Sequence, residues 1–291
     1  MSETTAGVFA GVLFLAASAL VFVFGSSYYA LFRTNKSWLF KATLVGMFVP
    51  AAWFLLRSDL DPTYGFLAFA FLAAAAANVL GAAAARLHRP LGLRDDSVKG
   101  MALGKGVEAI VVVGTVLLLL VVLRVPFGSV YLQTGHLGLG LAIGAGGFLL
   151  FAIAAAFQAR SMKITSGTIR RLLPWILLFV FANAFMEELW FRALFLRPLT
   201  SLLGPVLAVL LTAIVFTVVH VGATYLSKAE RVRFLVILFP LGLAWGTCMH
   251  FTDSIIASML FHAGADLMII NGFIAALHKP EAVSVAPSAA P

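Results

Sequence analysis

The chain has 291 residues, of which 62% are hydrophobic and 11% charged, and it carries a formal net charge of +8 with a mean hydropathy of +1.04. Soluble domains carry about 25% charged residues, so this composition excludes an ordinary water-soluble fold and leaves a chain embedded in lipid. The basic residues occur in short clusters between apolar runs, without the interleaved aromatics of a nucleic-acid surface. Their expected neighbours are therefore membrane lipid headgroups, not nucleic acid.

Apolar runs of about 18 or more residues can cross a ~30 Å hydrocarbon core as helices. Nine such runs are read along the chain, near 8–24, 38–56, 64–85, 107–123, 137–157, 172–196, 203–225, 234–250 and 254–276. The second and eighth are the weakest, so the expected fold is all-α, a polytopic membrane helical bundle of about eight to nine transmembrane helices. Residues 1–8 hold Glu3 and no Lys or Arg, unlike a secretory signal peptide, and the first run is expected to be retained. Residues 1–279 read as a single transmembrane domain, and 280–291, rich in Pro, Ala and Ser, as a disordered tail.

Lys and Arg collect on the cytoplasmic side of short loops, and here the loop charges alternate. Arg33, Lys36 and Lys41 follow the first run; Arg86, Arg89, Arg94, Lys99 and Lys105 the third; Arg160, Lys163, Arg170 and Arg171 the fifth; Lys228, Arg231 and Arg233 the seventh. The intervening loops hold few basic residues, Arg57, Arg124 and Arg197. The expectation is a multi-pass inner-membrane protein with its N-terminus outside and its C-terminus in the cytoplasm. Tyr28, Tyr29, Trp38, Tyr64, Tyr131 and Trp175 fall near run ends and read as headgroup anchors. Gly140 with Gly144, and Gly242 with Gly246, have the spacing that lets helix backbones approach closely in lipid. The single cysteine, Cys248, permits no intrachain disulfide and reads as a small buried apolar residue.

Ionisable groups inside a span cost at least ~2.5–3.5 kcal/mol each and mark functional sites by default. They are concentrated in three runs: Glu187, Glu188 and Arg192 in the sixth, His220 in the seventh, His262 and Asp266 in the ninth. Residues four apart share a helix face, so Glu188 is expected to pair with Arg192, leaving Glu187 on the face of Asn183 and Phe191. His262 and Asp266 are also four apart, and the carboxylate is expected to hold the imidazole in one tautomer. Depths counted at 1.5 Å per residue put Glu187, Glu188 and His262 ~20 Å inside, Asp266 ~14 Å and His220 ~12 Å, consistent with one shared chamber. His250 reads as an interfacial residue at the end of the eighth run, and His88, His136 and His278 as solvated. Phe216 reads as core without a chemical role.

These residues resemble the CAAX-protease and bacteriocin-processing (CPBP) family of intramembrane endopeptidases. Glu187-Glu188-Leu189-Trp190-Phe191-Arg192 looks like its EExxxR motif, Phe216 to His220 like FxxxH, and His262 to Asp266 like the terminal HxxxN/D. The glycine-containing stretch 242–254 resembles the lead into that last motif, and the peptidase core is expected at about 172–276. The resemblance implies hydrolysis of a peptide bond in a hydrophobic or lipid-modified, membrane-anchored tail, with Glu187 activating water, His220 orienting it and His262 donating to the oxyanion. It implies no cofactor, although Glu187, His220 and His262 are also zinc donors by type. Asp266 stands where many members have Asn, and must be protonated, orient His262 or bind a metal. Two readings compete: a non-catalytic membrane scaffold or immunity protein, and a proton-linked transporter using the buried carboxylates as a relay.

Overall fold

A computed structural model describes residues 3–24, 36–84, 97–222 and 228–277. Helices account for nearly all of it. They are α1 (Glu3–Ser18, passing into a π-helical turn Ala19–Phe24), α2 (Lys36–Leu55), α3 (Pro62–Ala84), α4 (Val98–Leu123), α5 (Leu137–Ser161), α6 (Ser166–Glu187), α7 (Leu194–Leu203), α8 (Pro205–Val219), α9 (Lys228–Thr252) and α10 (Ile255–Leu277). A π-helical segment, Glu188–Ala193, joins α6 to α7 without a break, so the sixth apolar run is one rod, Ser166–Leu203.

The rods fall where the nine runs place them. Six are long and apolar enough to cross a bilayer: Pro62–Ala84, Val98–Leu123, Leu137–Ser161, Ser166–Leu203, Arg231–Thr252 and Ile255–Leu277. Ala10–Phe24, Leu39–Leu55 and Pro205–Val219 are shorter apolar helices. The last is short for a local reason: Gly204, at φ +79°, breaks the preceding rod, and Pro205 restarts a helix at its first position, where its missing N–H costs nothing. Large apolar side chains face outward, Val206 at 78% and Ile110 at 73% exposure, the pattern of a surface solvated by hydrocarbon. The chain is a multi-pass membrane protein.

Lys105, expected in a loop, is inside α4, because that helix begins before its apolar stretch does. Ser97 caps α4, its hydroxyl accepting from the Gly100 N–H, and Thr165 caps α6 by accepting from Thr168 N–H; each satisfies one orphan donor of the first turn. A Cβ at Gly144 would lie 3.1 Å from the Ala257 carbonyl oxygen and one at Gly140 4.0 Å from the Ala257 N, so α5 meets α10 backbone to backbone. α10 is in turn wedged against α6 and α9. This places the fifth, sixth, eighth and ninth runs around one interior.

At one end of the bundle the turn after α9 is bolted to the α4–α5 connection. Arg197 Nη2 is 2.5 Å from Asp253 Oδ1, its guanidinium lies 4.4 Å from the Tyr131 ring centre, and Gln133 Nε2 donates to Asp253 Oδ2 at 2.5 Å. The Ile255 N–H donates to the Tyr131 carbonyl and the His136 N–H to the Thr252 carbonyl. Tyr131 is thus no headgroup anchor: it is 2% exposed, because it serves as the floor for Arg197. Burial pushes its phenol up to about 12, against the pull of Arg197. Tyr64 is exposed and Trp175 half-buried, whereas the anchors expected at Tyr28 and Tyr29, the Trp38 side chain, His88, His278 and the tail 280–291 lie outside the described residues.

Candidate active site

The rod that carries Glu187 and Glu188 changes its winding at that point. α6 ends at Glu187 and the π-helical turn runs through Glu188, Leu189, Trp190, Phe191, Arg192 and Ala193, all six buried. π turns are inserted into α-helices mostly at functional positions, where they re-aim side chains at a cost in helix geometry. Arg192 Nη1 donates to Glu188 Oε1 at 2.6 Å with both side chains at 0% exposure, as the four-residue spacing predicts. The guanidinium sits 4.1 Å from the Phe216 ring centre, and its Nε reaches the Gly242 carbonyl at 3.4 Å. A Cβ at Gly242 would stand 3.1 Å from Arg192 Nη2, which explains why this position of α9 has no side chain.

His262 of α10 enters between the two glutamates. Its Nδ1 is 2.7 Å from Glu188 Oε1, and its Nε2 is 3.6 Å from Glu187 Oε2. The Glu188 oxygen already accepts from Arg192, so Nδ1 must be the donor to it. On one face the imidazole is stacked on the Trp245 indole, with ring centres 3.9 Å apart and planes 9° from parallel. Phe216 meets it edge-on at 89°.

His220 arrives from α8 as that helix unwinds into the 3₁₀ turn His220–Gly222. Its Nδ1 lies 2.8 Å from the Phe216 carbonyl; a carbonyl only accepts, so Nδ1 carries the proton. Its Nε2 is 3.8 Å from Glu187 Oε2. One oxygen of Glu187 therefore faces two imidazole Nε2 atoms at nearly equal distance, too far for direct hydrogen bonds. With Nδ1 of His220 committed as a donor, its neutral ring presents only a lone pair to that oxygen. Acceptors facing acceptors need a proton-bearing guest between them, and a water molecule supplies two.

Asp266 is 1% exposed and sits on the Nε2 side of His262, its Oδ1 3.6 Å away. Its other oxygen accepts from Asn183 Nδ2 at 3.0 Å. The expected tautomer-fixing role of Asp266 is therefore corrected: Glu188 holds Nδ1, because the four-residue step along α10 brings the carboxylate to the opposite nitrogen. Asp266 Oδ1, Asn183 Oδ1 and Glu188 Oε2 are buried without a direct protein partner, further room for water-mediated bonds inside the chamber.

All six residues singled out from the sequence meet in this one chamber. Sequence reasoning missed the backbone role of Phe216, whose carbonyl fixes His220, and missed Trp245 altogether; an aromatic in an apolar run carries no signal of what it will stack on. It also left Lys105 in a loop. Within α4 the Lys105 ammonium pairs with Glu108 at 2.8 Å and lies within electrostatic range of His220 and Asp266. His250 stands apart, touching the Phe251 ring, and Cys248 is half-buried. The two Nε2 atoms and Glu187 Oε2 are zinc donors by type, but four-coordinate zinc with ligands at ~2.0–2.1 Å holds them about 3.4 Å apart. The present separations are 3.6 and 3.8 Å, and among the described residues no group of three or more His, Cys, Asp or Glu side chains is arranged to hold a metal ion.

Residues 169–268 match the family model described as type II CAAX prenyl endopeptidase, Rce1-like. No curated protein and no solved structure matches the chain. Glu187, Glu188, Arg192, His220, His262 and Asp266 all lie inside the matched segment, so the part of the chain that builds the chamber is the part similar to the Rce1-like domain, in agreement with the CPBP resemblance.

Proposed function

We propose that the protein is an intramembrane endopeptidase that hydrolyses a peptide bond in a hydrophobic or lipid-modified, membrane-anchored tail, without a bound metal. The observation that carries this reading is the convergence of His220 Nε2 and His262 Nε2 on Glu187 Oε2, at 3.8 and 3.6 Å. A water seated there is within hydrogen-bond reach of a carboxylate base and of an imidazole that orients it. Glu187 takes one proton as the water oxygen attacks the scissile carbonyl carbon.

The oxyanion that forms needs a donor. With Nδ1 of His262 already given to Glu188, only the doubly protonated ring offers an Nε2–H, so His262 acts as imidazolium, flanked by the carboxylates of Glu187, Glu188 and Asp266. Collapse of the tetrahedral intermediate breaks the C–N bond, and the proton held by Glu187 passes to the leaving amine. Glu188 and Arg192 carry no proton in this scheme; they hold His262 in register. Asp266, held by Asn183, adds a second oxygen beside the reacting centre and is proposed to orient water or substrate there.

Residues 172–276 are proposed as the peptidase core of a single domain reaching residue 279, in an inner membrane with the N-terminus outside and the C-terminus cytoplasmic. The test of the activity is cleavage of a fluorogenic peptide with a prenylated cysteine near its C-terminus, by purified full-length protein in lipid nanodiscs. Loss of cleavage in both Glu187→Gln and His220→Ala, at unchanged yield of folded protein, is expected. Retained cleavage in both would show that this chamber does not carry the activity, and absence of cleavage by wild type would leave a binding or scaffold role.

A further inference from the structure

We infer that Trp245 is a positioning residue for His262, through its stack on the imidazole, an inference that rests on the peptidase reading above. α9 supplies none of the chamber's carboxylates or imidazoles. What it contributes, on one face three residues apart, is the Gly242 carbonyl that receives Arg192 Nε and the Trp245 ring against His262.

The need for this ring follows from the geometry of the imidazole. A single hydrogen bond, Nδ1 to Glu188 Oε1 at 2.7 Å, fixes one nitrogen but leaves the ring free to pivot about that nitrogen. A tilt of about 30° swings Nε2 by about 1 Å, a displacement that costs catalysis up to ~100-fold when it occurs at a reacting group. An indole face lying 9° from parallel at 3.9 Å blocks that tilt from one side, and the Phe216 edge, at 89°, limits it from another. The indole has a second effect. An aromatic face attracts a cation laid on it, most strongly when desolvated and most strongly for tryptophan, so the stack favours the imidazolium that oxyanion stabilisation requires.

The indole N–H supports the same conclusion. Trp245 is 1% exposed, and its Nε1 is buried without a protein partner. Phenylalanine or leucine would fill an apolar slot without that orphan donor, so filling space is a poor account of tryptophan here, and the large ring laid on His262 is a better one.

The experiment compares wild type, Trp245→Phe, Trp245→Leu and Glu187→Gln as full-length protein in nanodiscs, on the same prenylated fluorogenic peptide. Trp245→Leu is expected to lower kcat by ~10- to ~100-fold with KM changed less than about twofold. Trp245→Phe, which keeps a ring, is expected to recover most of that loss. Equal kcat in wild type and Trp245→Leu would overturn the inference, as would equal loss in the Phe and Leu variants. If Trp245→Leu does not yield folded protein, Trp245→Met, nearer in volume and without a ring, takes its place. Cleavage that survives Glu187→Gln refutes Glu187 as the base, and with it the mechanism on which this inference rests. The stack itself is read separately by fluorescence: the emission lost on Trp245→Phe should be larger in a His262→Gln background, where the quenching imidazolium is gone.

Discussion

Glu188 and His262, 74 residues apart in sequence, share a 2.7 Å hydrogen bond at a carboxylate oxygen that simultaneously receives Arg192 at 2.6 Å. That one oxygen ties the π-helical turn to α10, and the neighbouring Glu187 is thereby set against the opposite edge of the same imidazole. Two adjacent carboxylates consequently have different tasks: one is consumed in structure, the other is left for water.

Glu187→Gln should remove the base while keeping size and polarity. Cleavage is expected to fall by at least ~100-fold, with unfolding midpoint close to wild type because Glu187 makes no direct ion pair with Arg192. Single-turnover assays and thermal unfolding on the same preparations check both halves; unchanged cleavage contradicts the assignment.

Glu188→Ala should behave differently, since it strands Arg192 at 0% exposure. Breaking a buried pair by removing one partner costs about 3–5 kcal/mol, so a large drop in unfolding midpoint is expected together with loss of cleavage. Glu188→Gln, which can still accept from both Arg192 and His262, should recover much of the stability. Equal midpoints for Ala and Gln would show that the pair does not hold the chamber together.

Extended dialysis against a chelator is expected to leave cleavage unchanged, in keeping with a carboxylate base. Loss of activity that stoichiometric zinc restores would replace the proposed mechanism with a metal-assisted one.

The phenol of Tyr131, raised from 10.0 to about 12 by burial, is favoured in its neutral form by the folded state. Its contribution is fully present below pH ~10 and is lost as pH rises through ~12, amounting to at most about 2–3 kcal/mol. Unfolding of wild type minus Tyr131→Phe, followed from pH 9 to 12, isolates it from the other groups that titrate there. A pH-independent difference would refute the burial argument.

Gly264→Ala tests the α5–α10 contact. Its Cβ would lie 2.6 Å from Phe148 Cα, so backbone must move, at a cost of about 1–3 kcal/mol and with displacement of His262 two residues earlier. Gly272→Ala, on the same helix with nothing within 4 Å, should be neutral or stabilising by up to ~1 kcal/mol. Similar behaviour of the two variants would mean that the helices are less tightly apposed than described.

The sequence by itself determined that this is an all-helical membrane bundle and where its rods run, because apolar length is a local property that any window of the chain displays. It also picked out the six ionisable residues that converge in the chamber, because charge inside a hydrophobic run is costly enough to be conspicuous wherever it occurs. The Glu188–Arg192 pair was legible for the same reason, as both partners lie on one helix. The tertiary structure alone decided which carboxylate holds His262, since four residues on α10 separate His262 from Asp266 while Glu188 comes from a different rod. It alone decided that a π turn passes through the EExxxR stretch, that Tyr131 is buried under Arg197, and that Trp245 is the surface on which the imidazole lies. Apart from the π turn, each of these is a relation between segments distant in sequence, fixed by helix packing, for which spacing along one helix has no counterpart.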